Sequence, residues 1–291
     1  MEREAFRATL KDGGEGARLV YADWLLDQGD PHATHLGEAI VAALQGDRRQ
    51  ARALQERLTH DFGSGIGCGY RFEDGLLVGI EITFLKYRLL RPLLRWHPLR
   101  DVSLHNVTSA RMVEIATWDE LSELEGLALR FTDDDPRSVP ASIARLPGRS
   151  TLDLLAILRS YARVPLGPEH VKPLVSGALP RLRHLALGLP LEPPAVLALI
   201  ASPAFPSLVS LDLRSTALGH HRAELVARAL GSGTLREVVL DDLDRGRRGA
   251  FASLQARHGD RVVREPSWAP RIGPRRAGLR TTGDERDADG R

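Results

Sequence analysis

An apolar phrase that returns at nearly constant intervals limits what this chain can fold into more than any other feature. Written L-x-x-L-x-L, with Val or Ile allowed, it appears as Leu77/Ile80/Ile82, Leu99/Val102/Leu104 and Leu124/Leu127/Leu129. It returns as Leu182/Leu185/Leu187, Leu208/Leu211/Leu213 and Leu235/Val238/Leu240. The first positions are 22, 25, 58, 26 and 27 residues apart. The interval of 58 suits two units. A degenerate copy beginning at Arg149 puts Leu152 and Leu154 in its second and third apolar positions and leaves a unit of 33 residues after it. One more step of 27 beyond Leu235 lands on Val262, so Val262-Val263 is expected to close the series as a strand. A unit of this size cannot bury its own apolar face, so neighbouring units must stack.

Each phrase reads as a short strand followed by a helical or irregular return. Side chains alternate faces along a strand, so the two leucines of Leu-x-Leu point one way and the residue between them points the other. The returns carry helical signals. HRAELVARALGSG places Leu225, Ala229 and Leu230 on one face and runs into glycines. PPAVLALIASP opens with prolines, which suit a first helical turn, and stops near another.

The phrases LRHLALGLPL, LVSLDLRSTAL and LREVVLDDL resemble the leucine-rich repeat family over roughly residues 76–263. The resemblance implies an α/β solenoid with parallel strands on the concave face and helical returns on the convex face. One departure stands out. Where that family often has an asparagine ladder, this chain has Leu85, Val107, Thr132, Pro190, Thr216 and Leu243, and its single asparagine is Asn106. The backbone groups of these turns need other partners, and a less regular arc is expected.

Residues 1–62 read as an all-helical module. EREAFRATL and ARLVYADWLLDQ suit two helices, the second ended at Gly29. Asp30-Pro31 makes an N-cap and first-turn pair for a third helix through Leu44, and Gln50 to Leu58 suits a fourth. The string ARLVYADWLLDQGDP resembles a short bacterial repeat-companion domain that precedes repeat arrays, through Leu19 to Leu25 and Gly29 to Pro31. That family has no defined activity, so the likeness implies architecture and a bacterial origin; a capping role is expected because an open solenoid end exposes the apolar edge beside Leu77 and Ile80. Residues 63–75 are dense in glycine and read as a connection to the first repeat strand. Residues 264–291 are rich in Arg, Pro and Gly without apolar periodicity, and are expected to be disordered.

Composition narrows the setting. No run of about 18 apolar residues suggests a membrane span, and the charged N-terminus MEREAFRATLKDGG is unlike a signal peptide. The lone Cys68 rules out an internal disulfide framework. A cytoplasmic monomer is expected. Only Lys11, Lys86 and Lys172 of the 40 basic residues are lysine, a bias that suits a GC-rich genome, and the net charge is +2. The pI of about 8.9 therefore says little for a nucleic-acid partner.

No residue set suggests catalysis, a cofactor or a metal. Tyr21, Asp23 and Trp24 sit together, but no histidine or second carboxylate is recognisable at a catalytic spacing. His32/His35 and His220-His221 have no C-x-x-C or H-E-x-x-H context, and Cys68 lies in a glycine-rich junction. The exposed strand positions are the better candidates. Alternation puts Asp101, Ser103, His105, Arg130, His184, Asp212, Arg214, Glu237 and Asp241 on the open face, with Glu81, Thr83 and Asp153 beside them. The sequence therefore points to a non-enzymatic scaffold that holds an unknown protein partner on this surface. Two other readings stand beside it. One is nucleic-acid binding through Arg264, Arg271, Arg275, Arg276 and Arg280, with a second basic cluster at Arg245, Arg247 and Arg248. The other is regulation of a GTPase-like enzyme, by analogy with certain repeat proteins.

Overall fold

The computed structural model describes residues 10, 14–61, 69–73, 76–83, 99–132, 136–159, 164–176, 179–202, 207–214, 222–231, 235–240 and 249–264. Within them the chain builds a mixed α/β fold around one sheet. Its strands are β1 (Gly69–Glu73), β2 (Leu76–Thr83), β3 (Asp101–Val107), β4 (Gly126–Phe131) and β5 (Leu154–Arg159). β6 (His184–Leu187), β7 (Ser210–Asp212), β8 (Glu237–Val239) and β9 (Val262–Val263) complete it, and the strands follow one another in chain order. All neighbours pair in parallel except β1 and β2, which are antiparallel.

Three fully described helices precede the sheet: α1 (Glu15–Leu26), α2 (Pro31–Leu44) and α3 (Arg48–Asp61). α2 begins as its sequence suggests, with the Asp30 carboxylate accepting from the backbone N–H of His32 at 2.9 Å and of Ala33 at 3.0 Å. Gly29 stands between α1 and α2 at φ +66°, in the left-handed region that favours glycine. Gly37 lets α2 approach α1, because a Cβ there would meet the Ala22 carbonyl oxygen at 2.9 Å. Tyr21, Leu25, Leu36 and Ile40 share one core with Leu77, Ile80 and Ile82, so the helices abut the start of the sheet. The first expected helix, EREAFRATL, lies outside the described residues except for Leu10, which is helical and buried.

Among the described residues, six further α-helices return the chain between or beside the parallel strands: α4 (Ser109–Ile115), α5 (Val139–Ile143), α6 (Pro168–Val171), α7 (Pro193–Ile200), α8 (Arg222–Gly231) and α9 (Gly249–His258). Their apolar residues, among them Met112, Ile143, Val196 and Val226, join the strand residues in the main core. Two strand rows supply the other half of that core. One runs Ile80, Val102, Leu127, Leu155, Leu185, Leu211, Val238 and Val262. The other runs Ile82, Leu104, Leu129, Ile157 and Leu187, and Leu213 and Leu240 are buried just beyond their strands.

Two expectations are corrected. The degenerate unit is phased three residues later than Arg149, reading Leu152/Leu155/Ile157. Leu154, expected among the inward positions, faces the opposite side, in a row with Gly126 and His184. The true intervals are then 28 and 30 residues, more nearly equal than 25 and 33. The second correction concerns residues 63–75, where 69–73 form β1 instead of a plain connection. Tyr70, Arg71 and Phe72 give this segment the aromatic and long side chains a strand can use, which the surrounding glycines obscure.

Hydrogen bonds between successive units satisfy backbone groups beside the strands, and at the turn positions themselves Thr132 is bonded to Val107. Backbone carbonyls at Arg100, Glu125, Asp153, Arg183 and Val209 each accept from two successive N–H groups of the next unit. Hydroxyls add to this: Thr151 donates to the Leu124 carbonyl at 2.9 Å, Ser202 to that of Val175 at 3.0 Å and Thr132 to that of Val107 at 3.4 Å. The Arg261 guanidinium reaches the carbonyls of Leu230 and Leu235 at 3.0 and 2.5 Å. The one asparagine has a different task. Asn106 takes φ +58° where the register of β3 slips against β4, a conformation asparagine tolerates better than most residues.

Candidate functional site: the helix-free face of the sheet

Among the described residues the helices pack on one face, so the other face is where the strands can present chemistry. Its first row runs Gly79, Asp101, Gly126, Leu154, His184, Ser210 and Glu237. The second runs Glu81, Ser103, Ala128, Ala156, Ala186, Asp212, Val239 and Val263. Thr83 and His105 pair in a third row near the strand ends, and Arg130 pairs with Leu158 there.

The face has two polar ends. At the first, Arg71 of β1 reaches over β2 and forms an ion pair with Asp101 of β3. Asp101 is buried and Arg71 half-buried. Two glycines make room for the pair. A Cβ on Gly79 would lie 3.2 Å from the Arg71 guanidinium carbon, and one on Gly126 would overlap an oxygen of the Asp101 carboxylate. Next to this pair, the Nε2 atom of His105 and Oε1 of Glu81 are 2.6 Å apart, and Ser103 is buried alongside.

At the second end the neutralisation is local. Arg214 grips Asp212 two residues earlier through its Nε and Nη2 atoms, at 3.0 and 2.7 Å, and its backbone N–H donates to Oδ1 at 2.9 Å. The fully buried Ser210 hydroxyl bonds the Glu237 carboxylate at 2.6 Å. Between the two ends lies an apolar strip: Leu154, Ala128, Ala156 and Ala186 form a cluster separate from the main core, flanked by Leu158.

This arrangement revises the reading of an open polar surface. Asp101, Ser103 and Asp212 are buried, Glu81, His105, His184, Arg214 and Glu237 are half-buried, and Arg130 is exposed. The physical reason is pairing: a strand carboxylate is covered by the cation that neutralises it. Asp153 precedes β5, half-buried, 3.9 Å from Arg183, and Thr83 is half-buried at the end of β2. Asp241 lies outside the described residues, as do Cys68, His220 and His221. Arg71 and the apolar strip were missed. The strip had a signal, since the middle residues of Leu127-Ala128-Leu129 and Leu185-Ala186-Leu187 are both alanine; with the corrected phase Ala156 joins them.

The other candidates separate. Tyr21 and Trp24 stack with ring centroids 5.7 Å apart, which serves helix packing, while Asp23 is exposed. His32 and His35 are half-buried on α2. Among the described residues no group of three or more His, Cys, Asp or Glu is placed to hold a metal ion. No described helix is long and apolar enough to cross a membrane. Compared with protein-family models, with curated proteins and with solved structures, the chain matches none.

Proposed function

We propose that this protein is a non-catalytic interaction scaffold of the leucine-rich repeat kind, working as a monomer in the cytoplasm. In this reading the sheet is the concave wall of a solenoid and the α1–α3 module caps its first unit. A protein partner is held on the helix-free face. The observation that carries the reading is the layout of that face. Charged groups that pair among themselves stand at either end of an apolar strip, and the sheet beneath is locked by two continuous ladders of Leu, Ile and Val. Such a surface is preorganised, which lowers the ordering cost of association. The internally paired charges orient a partner more than they attract it, and the strip provides apolar contact. Position 130 is the exposed edge of this surface.

Site-specific photo-crosslinking tests the proposal. A photoreactive residue replacing Arg130 should trap a protein partner in cells. The same residue at Val113, exposed on α4 on the helical side, should not. Equal trapping at both positions would refute the proposal, and so would trapping at Val113 alone.

A further inference from the structure

The three-helix module carries a surface that the sheet does not share. Among the described elements α3 packs chiefly against α2, and it is thinly held. Of the side chains described on α3 only Ala51 and Leu54 are buried, and they meet Ala39 and Ala42 of α2 in a cluster separate from the main core. Above this seam lies a groove of about 410 Å³, bordered on the α1 side by Leu26, which is 38% exposed. Two matched sets of four residues form its walls. α2 contributes Glu38, Val41, Ala42 and Gln45, and α3 contributes Gln50, Ala53, Leu54 and Arg57. Each set has the i, i+3, i+4, i+7 spacing that lines one face of a helix. The sets mirror one another about the turn at Gly46, where φ is +76°. The apolar residues therefore occupy the middle and the two amides stand beside the turn. Glu38 and Arg57 mark the far end, two helical turns or about 10 Å along. Among the described residues no hydrogen bond or ion pair engages the side chains of Glu38, Gln45, Gln50 or Arg57.

We propose that this groove is a docking site for one amphipathic helix of a partner protein, a second contact separate from the helix-free face of the sheet. Shape selects a helix. An apolar trough between two antiparallel helices, about two turns long, is where a third helix lays its own i, i+3, i+4, i+7 stripe. Alanines at 42 and 53 let its axis come close. A small ligand calls for polar groups that converge on one point, whereas these stand at the two ends. Charge selects the sequence of the occupant. The α2 wall ends in the carboxylate of Glu38 and the α3 wall in the guanidinium of Arg57. The occupant therefore carries a Lys or Arg on one flank of its apolar stripe and an Asp or Glu on the other. The same charges fix its direction, because a helix laid in reverse would set them beside the two amides and leave Glu38 and Arg57 unmatched. Glu38 and Arg57 are exposed, so these pairs select the occupant, and contact with Leu26, Val41 and Leu54 holds it.

The test pans a display library of helical peptides about four turns long, randomised along one face and its flanks, against the full chain. Recovered peptides should share an apolar i, i+3, i+4, i+7 stripe with a cation on one flank and a carboxylate on the other. Ala53→Trp fills the groove from an exposed position and should abolish their binding, with the fold checked by circular dichroism. Glu38→Lys combined with Arg57→Glu should weaken binding about tenfold, as two partly exposed pairs turn from attraction to repulsion. Peptides with their two flanking charges exchanged should then regain it. That exchange reads recognition directly and decides the matter if Ala53→Trp disturbs the fold. Recovery of no peptide with this pattern would overturn the proposal. So would recovered peptides that bind the folded Ala53→Trp chain or the charge-reversed chain unchanged. Self-association of the full chain, measured by sedimentation and lost in Ala53→Trp, would overturn it in favour of a second copy as the occupant.

Discussion

The two ends of the helix-free face each bury an aspartate, and they neutralise it in opposite ways. Asp101 depends on Arg71, thirty residues earlier, on a strand that runs against the others, and on two glycines that leave space above the sheet. Asp212 depends on Arg214, two residues later, and on the backbone N–H of the same residue. The first arrangement ties β1, β2, β3 and β4 together. The second stabilises one strand and its exit. A long-range buried pair is thus a device for assembling a sheet edge, whereas a local pair makes a charged residue tolerable where it stands.

The contrast can be broken in order of expected effect. Arg71→Ala should be the most damaging change, costing about 3–5 kcal/mol, because it leaves the Asp101 carboxylate buried without its cation. Denaturant unfolding of Arg71→Ala beside Arg71→Met with Asp101→Leu would measure it. The paired apolar replacement should recover most of the loss, and a small effect of Arg71→Ala would show that the two ends are equivalent.

Gly126→Ala comes next, at about 1–3 kcal/mol, as the methyl group must push the Asp101 carboxylate aside. Combining it with Asp101→Ala should give less than the sum of the two changes, and additive losses would mean that the two sites do not meet. Arg214→Ala should cost about 1.5 kcal/mol, since the backbone N–H still serves Asp212 and the guanidinium is partly in water. Thermal unfolding at low and high salt would check that value. Ser210→Ala should cost the least, about 1 kcal/mol, by removing one hydrogen bond to Glu237. A loss from either change as large as that of Arg71→Ala would erase the distinction between assembling and local pairs.

The local pair also changes how the surface should be probed. Reversing the charge of Arg214 would set a second carboxylate against the buried Asp212, so a binding defect there would confuse folding with recognition. Arg130, exposed, is the cleaner position.

Much of the architecture was legible because it rests on period alone. The six regular phrases fall on β2, β3, β4, β6, β7 and β8, Val262-Val263 forms β9, and Asp30-Pro31 opens α2. These signals are local: alternation assigns faces, and a capping carboxylate acts within three residues. The seventh unit shows where the method weakens. Leu152, Leu154 and Leu155 offer two possible phases, and only pairing with β4 and β6 selects Leu155 and Ile157 for the core.

The chain by itself determined the number and direction of its parallel strands, the apolar rows that lock them and the helical start, since each follows from spacing and side-chain type. Tertiary structure decided the chemistry of the other face. Arg71 meets Asp101 only because β1 turns back antiparallel, and Gly79 and Gly126 matter only as empty space on neighbouring strands. The alanine strip exists as a surface only once Ala128, Ala156 and Ala186 stand side by side. Charge pairing and apolar contact act across a few ångströms in space, while a sequence records neighbours along the chain. A face assembled from one or two residues of each strand is therefore set by the register of the whole sheet.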